Sequence, residues 1–160
     1  MSHRSEISKA EMFCRYTKGL AVRAALGFVV AGAFALDLAA KGDLSIRCKK
    51  LPELVLGTDN TGYAVSQKEY KIETGKCYGL EIKSSGKKEY VLRGANFFRN
   101  MWVRKIEAGD LEIKATHLYE LEYEDEPESE IFFTMIKPGT YKLSAIGLES
   151  KGTVITFIVE

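Results

Sequence analysis

The chain has 160 residues, 46% of them hydrophobic and 28% charged, with a formal net charge of +1 at pH 7. That length allows one domain and an appendage, and that balance excludes wholesale disorder. Near-neutrality excludes a general electrostatic attraction to nucleic acid. The charge is uneven: Arg4, Lys9, Arg15, Lys18 and Arg23 outnumber Glu6 and Glu11 ahead of residue 36, so the remainder is slightly acidic.

The first element is an address. Leu20 to Leu36 reads LAVRAALGFVVAGAFAL, with neither charge nor proline from Ala24 onward. Basic residues precede this run, and Ala33-Phe34-Ala35 has the small-x-small form of a cleavage site; together these describe a secretory signal. A spanning helix needs about 20 apolar residues, and the clean run is shorter and stops at Asp37. Arg23 can snorkel at its edge, so residues 1–40 read either as a cleaved signal peptide or as a retained signal anchor. Met12 offers a second start with a more compact basic region. Residues 41–50 read as a linker and residues 51–160 as the folded domain. The expected location is periplasmic or secreted, with a tether to the inner membrane if residues 20–40 stay attached.

Export sets the redox context. Cys14 lies in the address, leaving Cys48 and Cys77 as a candidate disulfide in an oxidising compartment. Two unrelated thiols are the alternative. Thiolate metal binding is weaker, because no CxxC spacing is present.

From Leu51 onward the apolar residues recur with a period of two. Tyr78, Leu80 and Ile82 alternate with Gly79, Glu81 and Lys83. Tyr90 and Leu92 follow, then Leu111 and Ile113. His117, Tyr119, Leu121 and Tyr123 share one parity, as do Tyr141, Leu143 and Ala145. Thr153 to Val159 is a nearly continuous β-branched run, expected of a central strand. Turn signals at Asp59-Asn60-Thr61-Gly62, Thr74-Gly75, Ser84-Ser85-Gly86, Ala108-Gly109-Asp110, Pro138-Gly139 and Lys151-Gly152 separate the runs. Short strands at this spacing predict an all-β sandwich or small barrel. Ala95–Lys105 fits no strand and reads as a loop or short helical turn carrying aromatics.

Three segments carry a resemblance. Ile136-Lys137-Pro138-Gly139-Thr140-Tyr141-Lys142-Leu143 resembles the strand leading into the copper loop of cupredoxins. Gly152-Thr153-Val154-Ile155 resembles the strand that closes that fold, and Tyr78 to Gly86 the strand and turn before its first copper histidine. The FFRNMW segment is similar to one in small exported cupredoxin-like bacterial proteins. The resemblance spans residues 51–160 and implies a Greek-key β-sandwich of the cupredoxin type, preceded by an N-terminal hydrophobic signal or anchor helix. It also implies a copper site, and the residues contradict that. Type 1 copper takes two imidazoles, a thiolate and a weak axial thioether. Beyond residue 40 the only histidine is His117. Glu89 stands in the register of the first histidine, Ala145 in that of the cysteine, and residues 146–152 contain neither histidine nor methionine. No cofactor is expected, and copper is disfavoured.

Remaining metal donors are Glu89, His117 and Glu149, with Met101 and Met135 as soft additions. The competing readings are solvated strand ends for the two glutamates, a hydrogen-bonded core or rim position for His117, and packing for the methionines. The acidic run Glu120 to Glu130 lacks the tight glycine loop of a Ca²⁺ site and reads as a solvated strand edge and turn. Phe97, Phe98, Arg99, Trp102 and Arg104 combine aromatic and basic side chains, either as a partner-binding surface or as a plug in one end of the sandwich. No nucleophile triad, zinc-protease, P-loop or dinucleotide-binding motif occurs, so no enzyme is expected. The expected function is that of a non-catalytic periplasmic binding or accessory protein with a protein partner in the envelope. The alternatives are a copper-binding or electron-transfer protein with non-standard ligands, and a membrane-tethered subunit of a larger envelope complex.

Overall fold

The computed structural model describes residues 47–160. The signal or anchor expected over residues 1–40, with Cys14, lies outside the described residues. Among the described residues the strands are β1 (Lys49–Lys50), β2 (Leu54–Leu56), β3 (Glu69–Ile72), β4 (Cys77–Ser84), β5 (Tyr90–Arg93), β6 (Met101–Ala108), β7 (Leu111–Ile113), β8 (Glu120–Tyr123), β9 (Glu128–Met135), β10 (Gly139–Ala145) and β11 (Val154–Val159). A short helix, α1 (Ala95–Arg99), lies between β5 and β6. Lys49 and Lys50, within the stretch read as linker, pair as β1 with Tyr78 and Gly79.

The strands form two sheets. The first has the order β1-β4-β9-β6-β7, with β2 also on β4; the second has the order β3-β11-β10-β5-β8. β1 and β2 run parallel to β4, and β3 runs parallel to β11. Each inner face supplies every second residue of its strands: Leu80, Ile82 and Phe133 on one side, Leu143, Ile155 and Phe157 on the other, all almost completely buried.

α1 is short because little sustains it. Its N-cap, Gly94, offers no side-chain hydrogen bond. It is held by packing: a Cβ at Gly94 would sit 2.7 Å from the Lys142 carbonyl oxygen and 3.2 Å from Phe97 Cβ, so the close approach of helix to β10 needs glycine there. That approach drives Phe97 and Phe98 between the sheets. The Phe97 ring stacks on Phe157 at 4.3 Å and meets Phe133 edge-on at 5.7 Å, linking one sheet to the other.

Two strands depart from the sequence reading. Met101–Ala108 is a full strand, whereas Ala95–Lys105 reads from the sequence as a loop or short helical turn. Its pairing with β9 shifts register between Val103 and Lys105. The extra residue, Arg104, breaks the two-residue period, so Met101, Val103 and Ile106 all point inward without even spacing. Glu128–Met135 is a central strand paired on both sides, by β4 and β6, so the end of the acidic run is not a sheet edge. Of that acidic run, only Glu120–Tyr123 forms an edge strand, as β8.

Candidate functional site

The strand directions give the sandwich two ends that differ in chemistry. At the first end lie the positions where copper ligands would stand. Ala145 closes β10, is fully buried, and its N–H donates to the Thr153 carbonyl. The following chain turns back at once, Leu148 N–H donating to the Ala145 carbonyl, before the 3-10 turn Glu149–Lys151. Tyr90 occupies the interior here; it is wholly buried and its hydroxyl donates to the Gly62 carbonyl at 2.8 Å. Gly57, at φ +78°, lies so close that a Cβ would be 2.1 Å from the Tyr90 hydroxyl oxygen. Thr153, also fully buried, donates to the Tyr63 carbonyl.

Asp59 organises the loop over this end. Its Oδ1 accepts from the N–H of Tyr63 at 2.9 Å and of Ala64 at 3.0 Å, and its Oδ2 accepts from the Thr61 hydroxyl. The Thr61 hydroxyl first, then the backbone donors, favour the ionised form and hold the carboxyl down at about 2. A depressed carboxyl contributes stability that is complete above its unfolded range and is lost as pH falls through the folded value. Asp59→Asn keeps one acceptor oxygen but not the charge. Thermal melts from pH 7 downward are expected to show a shallower acid limb for the variant than for the wild type below about pH 4. Identical limbs would remove Asp59 from the account.

The weak metal candidates do not assemble. Glu89 is exposed ahead of β5 and shares a hydrogen bond with Glu122, whose carboxyl is raised by that contact and by the neighbouring like charges. Glu149 is exposed at the start of the 3-10 turn. His117 corrects the sequence reading: it is exposed in the segment before β8, neither core nor rim. The strand begins only at Glu120, so the apolar parity read through His117 and Tyr119 runs past the pairing; Tyr119 is 65% exposed. Met101 and Met135 pair in register within the core. Among the described residues no group of three or more His, Cys, Asp or Glu side chains is placed to hold a metal ion. The donor set at the first end, an alanine methyl and an exposed carboxylate in place of thiolate and imidazole, does not fit type 1 copper.

The second end carries the aromatic and basic segment, which the structure divides. Phe97 and Phe98 are core. Arg99 is exposed at the end of α1, and Trp102 is 48% exposed on the outer face of the first sheet. Trp102 stands opposite Thr134, and Thr134 opposite Cys77. Cys77 is bridged to Cys48, with 4.4 Å between the two Cα atoms. Arg104, half-buried, directs Nη1 at Cys48 Sγ, 3.3 Å away. Thr74, Gly75, Thr134, Met135 and Ile136 join Trp102 around a surface concavity of about 530 Å³. Ile136, 64% exposed, was not singled out from the sequence. It reads there as part of the strand approach to Pro138-Gly139. Its outward position follows from Ile136 N–H donating to the Asn100 carbonyl, which turns the chain out of β9 beside Trp102.

No protein-family model matches this sequence, and no curated protein sequence does. Solved structures match in shape. A laccase from Pediococcus acidilactici aligns with a TM-score of 0.56 at 8% identity, over 72% of this chain and 28% of its own. The multicopper oxidase from Campylobacter jejuni, described as a metallo-oxidase, aligns at 0.52 with 10% identity over 72% of this chain and 31% of its own. That of the hyperthermophile Aquifex aeolicus aligns at 0.52 with 12% identity, over 71% and 29%. The chain thus spans less than a third of the length of these neighbours, and at such identities the likeness is one of fold. It corrects one expectation. Missing hydrolase and dehydrogenase motifs led to the reading that this is not an enzyme, yet these fold neighbours are oxidases, so that exclusion is withdrawn. Residues 47–160 form a cupredoxin-like β-sandwich without the standard type 1 copper ligands.

Proposed function

We propose that this chain is an exported binding or accessory protein of the cell envelope, in which the cupredoxin-like sandwich is a scaffold for a contact surface and not the holder of a type 1 copper centre. The observation that carries the reading is the Cys48–Cys77 bridge. Such bridges persist in oxidising compartments and are rare in the cytosol, where thiols are kept reduced. The basic, apolar and small-residue order of residues 1–40 supports the same address. The contact surface is the Trp102–Ile136 end, where two large apolar side chains stand in solvent beside Arg99.

Thiol trapping in the native cell tests the address. Cells are quenched in acid and treated with a maleimide polymer, with and without prior reduction. Cys48 and Cys77 are expected to resist labelling until reductant is added. Labelling of both without reductant would place the chain in a reducing compartment and end this reading.

A further inference from the structure

We infer that the Trp102–Ile136 end of the sandwich rests on the surface of an anionic lipid bilayer. This inference rests on the envelope reading and on retention of the apolar run Leu20–Leu36, and it specifies what the contact surface touches.

The first argument is where the chain enters. β1 runs parallel to β4, with Lys49 opposite Tyr78 and Lys50 opposite Gly79. The chain before Cys48 therefore arrives from the side of Lys76 and Gly75, the residues that precede Tyr78 in the same direction. Gly75 N–H donates to the Met135 carbonyl, and Ile136 N–H to the Asn100 carbonyl, so this entry side is the end that displays Trp102 and Ile136. The Cys48–Cys77 bridge fixes the entry point there. Residues 37–47 are all that separate it from the apolar run.

The second argument is chemical. Tryptophan is enriched where hydrocarbon meets headgroups, because its ring is apolar and its N–H polar. Trp102 and Ile136 are both large and exposed, on a concavity that is mainly apolar. Arg99 and Lys137 flank them, exposed and without a carboxylate partner among the described residues; Lys76 is paired with Glu73 at 2.6 Å, and Glu160 adds a carboxylate nearby. The opposite end gathers Glu89, Glu122, Glu124, Asp125 and Glu126, which outnumber Lys87, Lys88 and Lys151 there, and the Glu122 carboxyl is raised by its hydrogen bond with Glu89 and the neighbouring like charges. An anionic surface favours the Trp102–Ile136 end over the end that carries those carboxylates.

Trp102 is the chain's single tryptophan, so its fluorescence reports the patch directly. The full-length chain is reconstituted into phosphatidylcholine–phosphatidylglycerol vesicles, with or without a headgroup spin-labelled lipid, and recovered by flotation. The expected result is a blue-shifted emission that the shallow label cuts roughly in half. An Arg99→Glu, Ile136→Asp, Lys137→Glu variant, changed only at exposed positions, is expected to float equally well, keep its near-ultraviolet circular dichroism and lose that quenching. Flotation with unquenched Trp102, or quenching equal in the variant, overturns the inference and leaves the tether and the envelope reading standing. Failure of the full-length chain to float overturns the inference and the tether together.

Discussion

Phe97→Ala is expected to cost about 3–5 kcal/mol, the usual result of removing a fully buried ring. Phe97 is 1% exposed and in ring contact with Phe98, Phe133 and Phe157. Phe133 belongs to one sheet and Phe157 to the other, so the cavity would open at the junction of the two layers. A domain of this size has a total stability of about 5–15 kcal/mol, so the variant should be close to unfolding at moderate temperature. Phe97→Leu, which keeps most of the volume, should recover much of the loss. Trp102→Ala, five residues further on, is expected to cost about 1 kcal/mol or less, since half of that side chain is already in water. Urea midpoints of the three variants, measured together with the slope of the transition, decide the matter. Equal losses for Phe97→Ala and Trp102→Ala would mean that the segment is a single plug and that the surface drawn at Trp102 does not exist.

The contrast between those two residues shows where sequence patterning stops. Phe97 and Trp102 lie in one aromatic stretch, and composition alone left plug and binding surface both open. The answer depends on Gly94, which lets α1 settle against β10, and on the bulge at Arg104, which fixes which side of β6 faces out. Neither leaves a periodic trace. β4 and β10 were legible because their core residues recur at every second position, as in Leu80-Glu81-Ile82-Lys83, and β11 because its run from Thr153 to Val159 is nearly continuous and β-branched. β9 was less so, because its outward residues Phe132 and Thr134 are not charged. Lys105 covers the Phe132 ring at 4.7 Å, and Thr134 is buried in the row that holds Cys77, so the period is flattened by what covers the sheet. His117 failed in the opposite way: its parity matched Leu121 and Tyr123, but a pattern cannot say where backbone pairing ends. The misfit to type 1 copper needed no pattern at all, only a count of histidines.

The Cys48→Ser, Cys77→Ser double variant is expected to lose about 3–4 kcal/mol, the chain-entropy estimate for a cross-link closing a loop of this length. The separation of the two cysteines is 29 residues. The melting temperature should fall by roughly 10–20 °C for a domain of this size. Reduced wild type should melt with the variant, which separates the bond itself from the serine substitutions. That figure comes from the constrained unfolded chain; in the folded state the cross-link also secures an entry into the sandwich that little else holds. β1 has two residues, both exposed, and two register pairs with β4. The Leu51 N–H to Gly79 carbonyl bond continues that pairing for one more step. Without the bridge, β1 should leave β4 well before the sheets separate, so the Gly79 N–H, on the β1 side of β4, should lose protection from hydrogen exchange earlier than the N–H groups of β11. A variant in which β1 remains protected would show that strand pairing alone fixes the entry point. The bridge would then mark the compartment without shaping the end of the sandwich that carries Trp102.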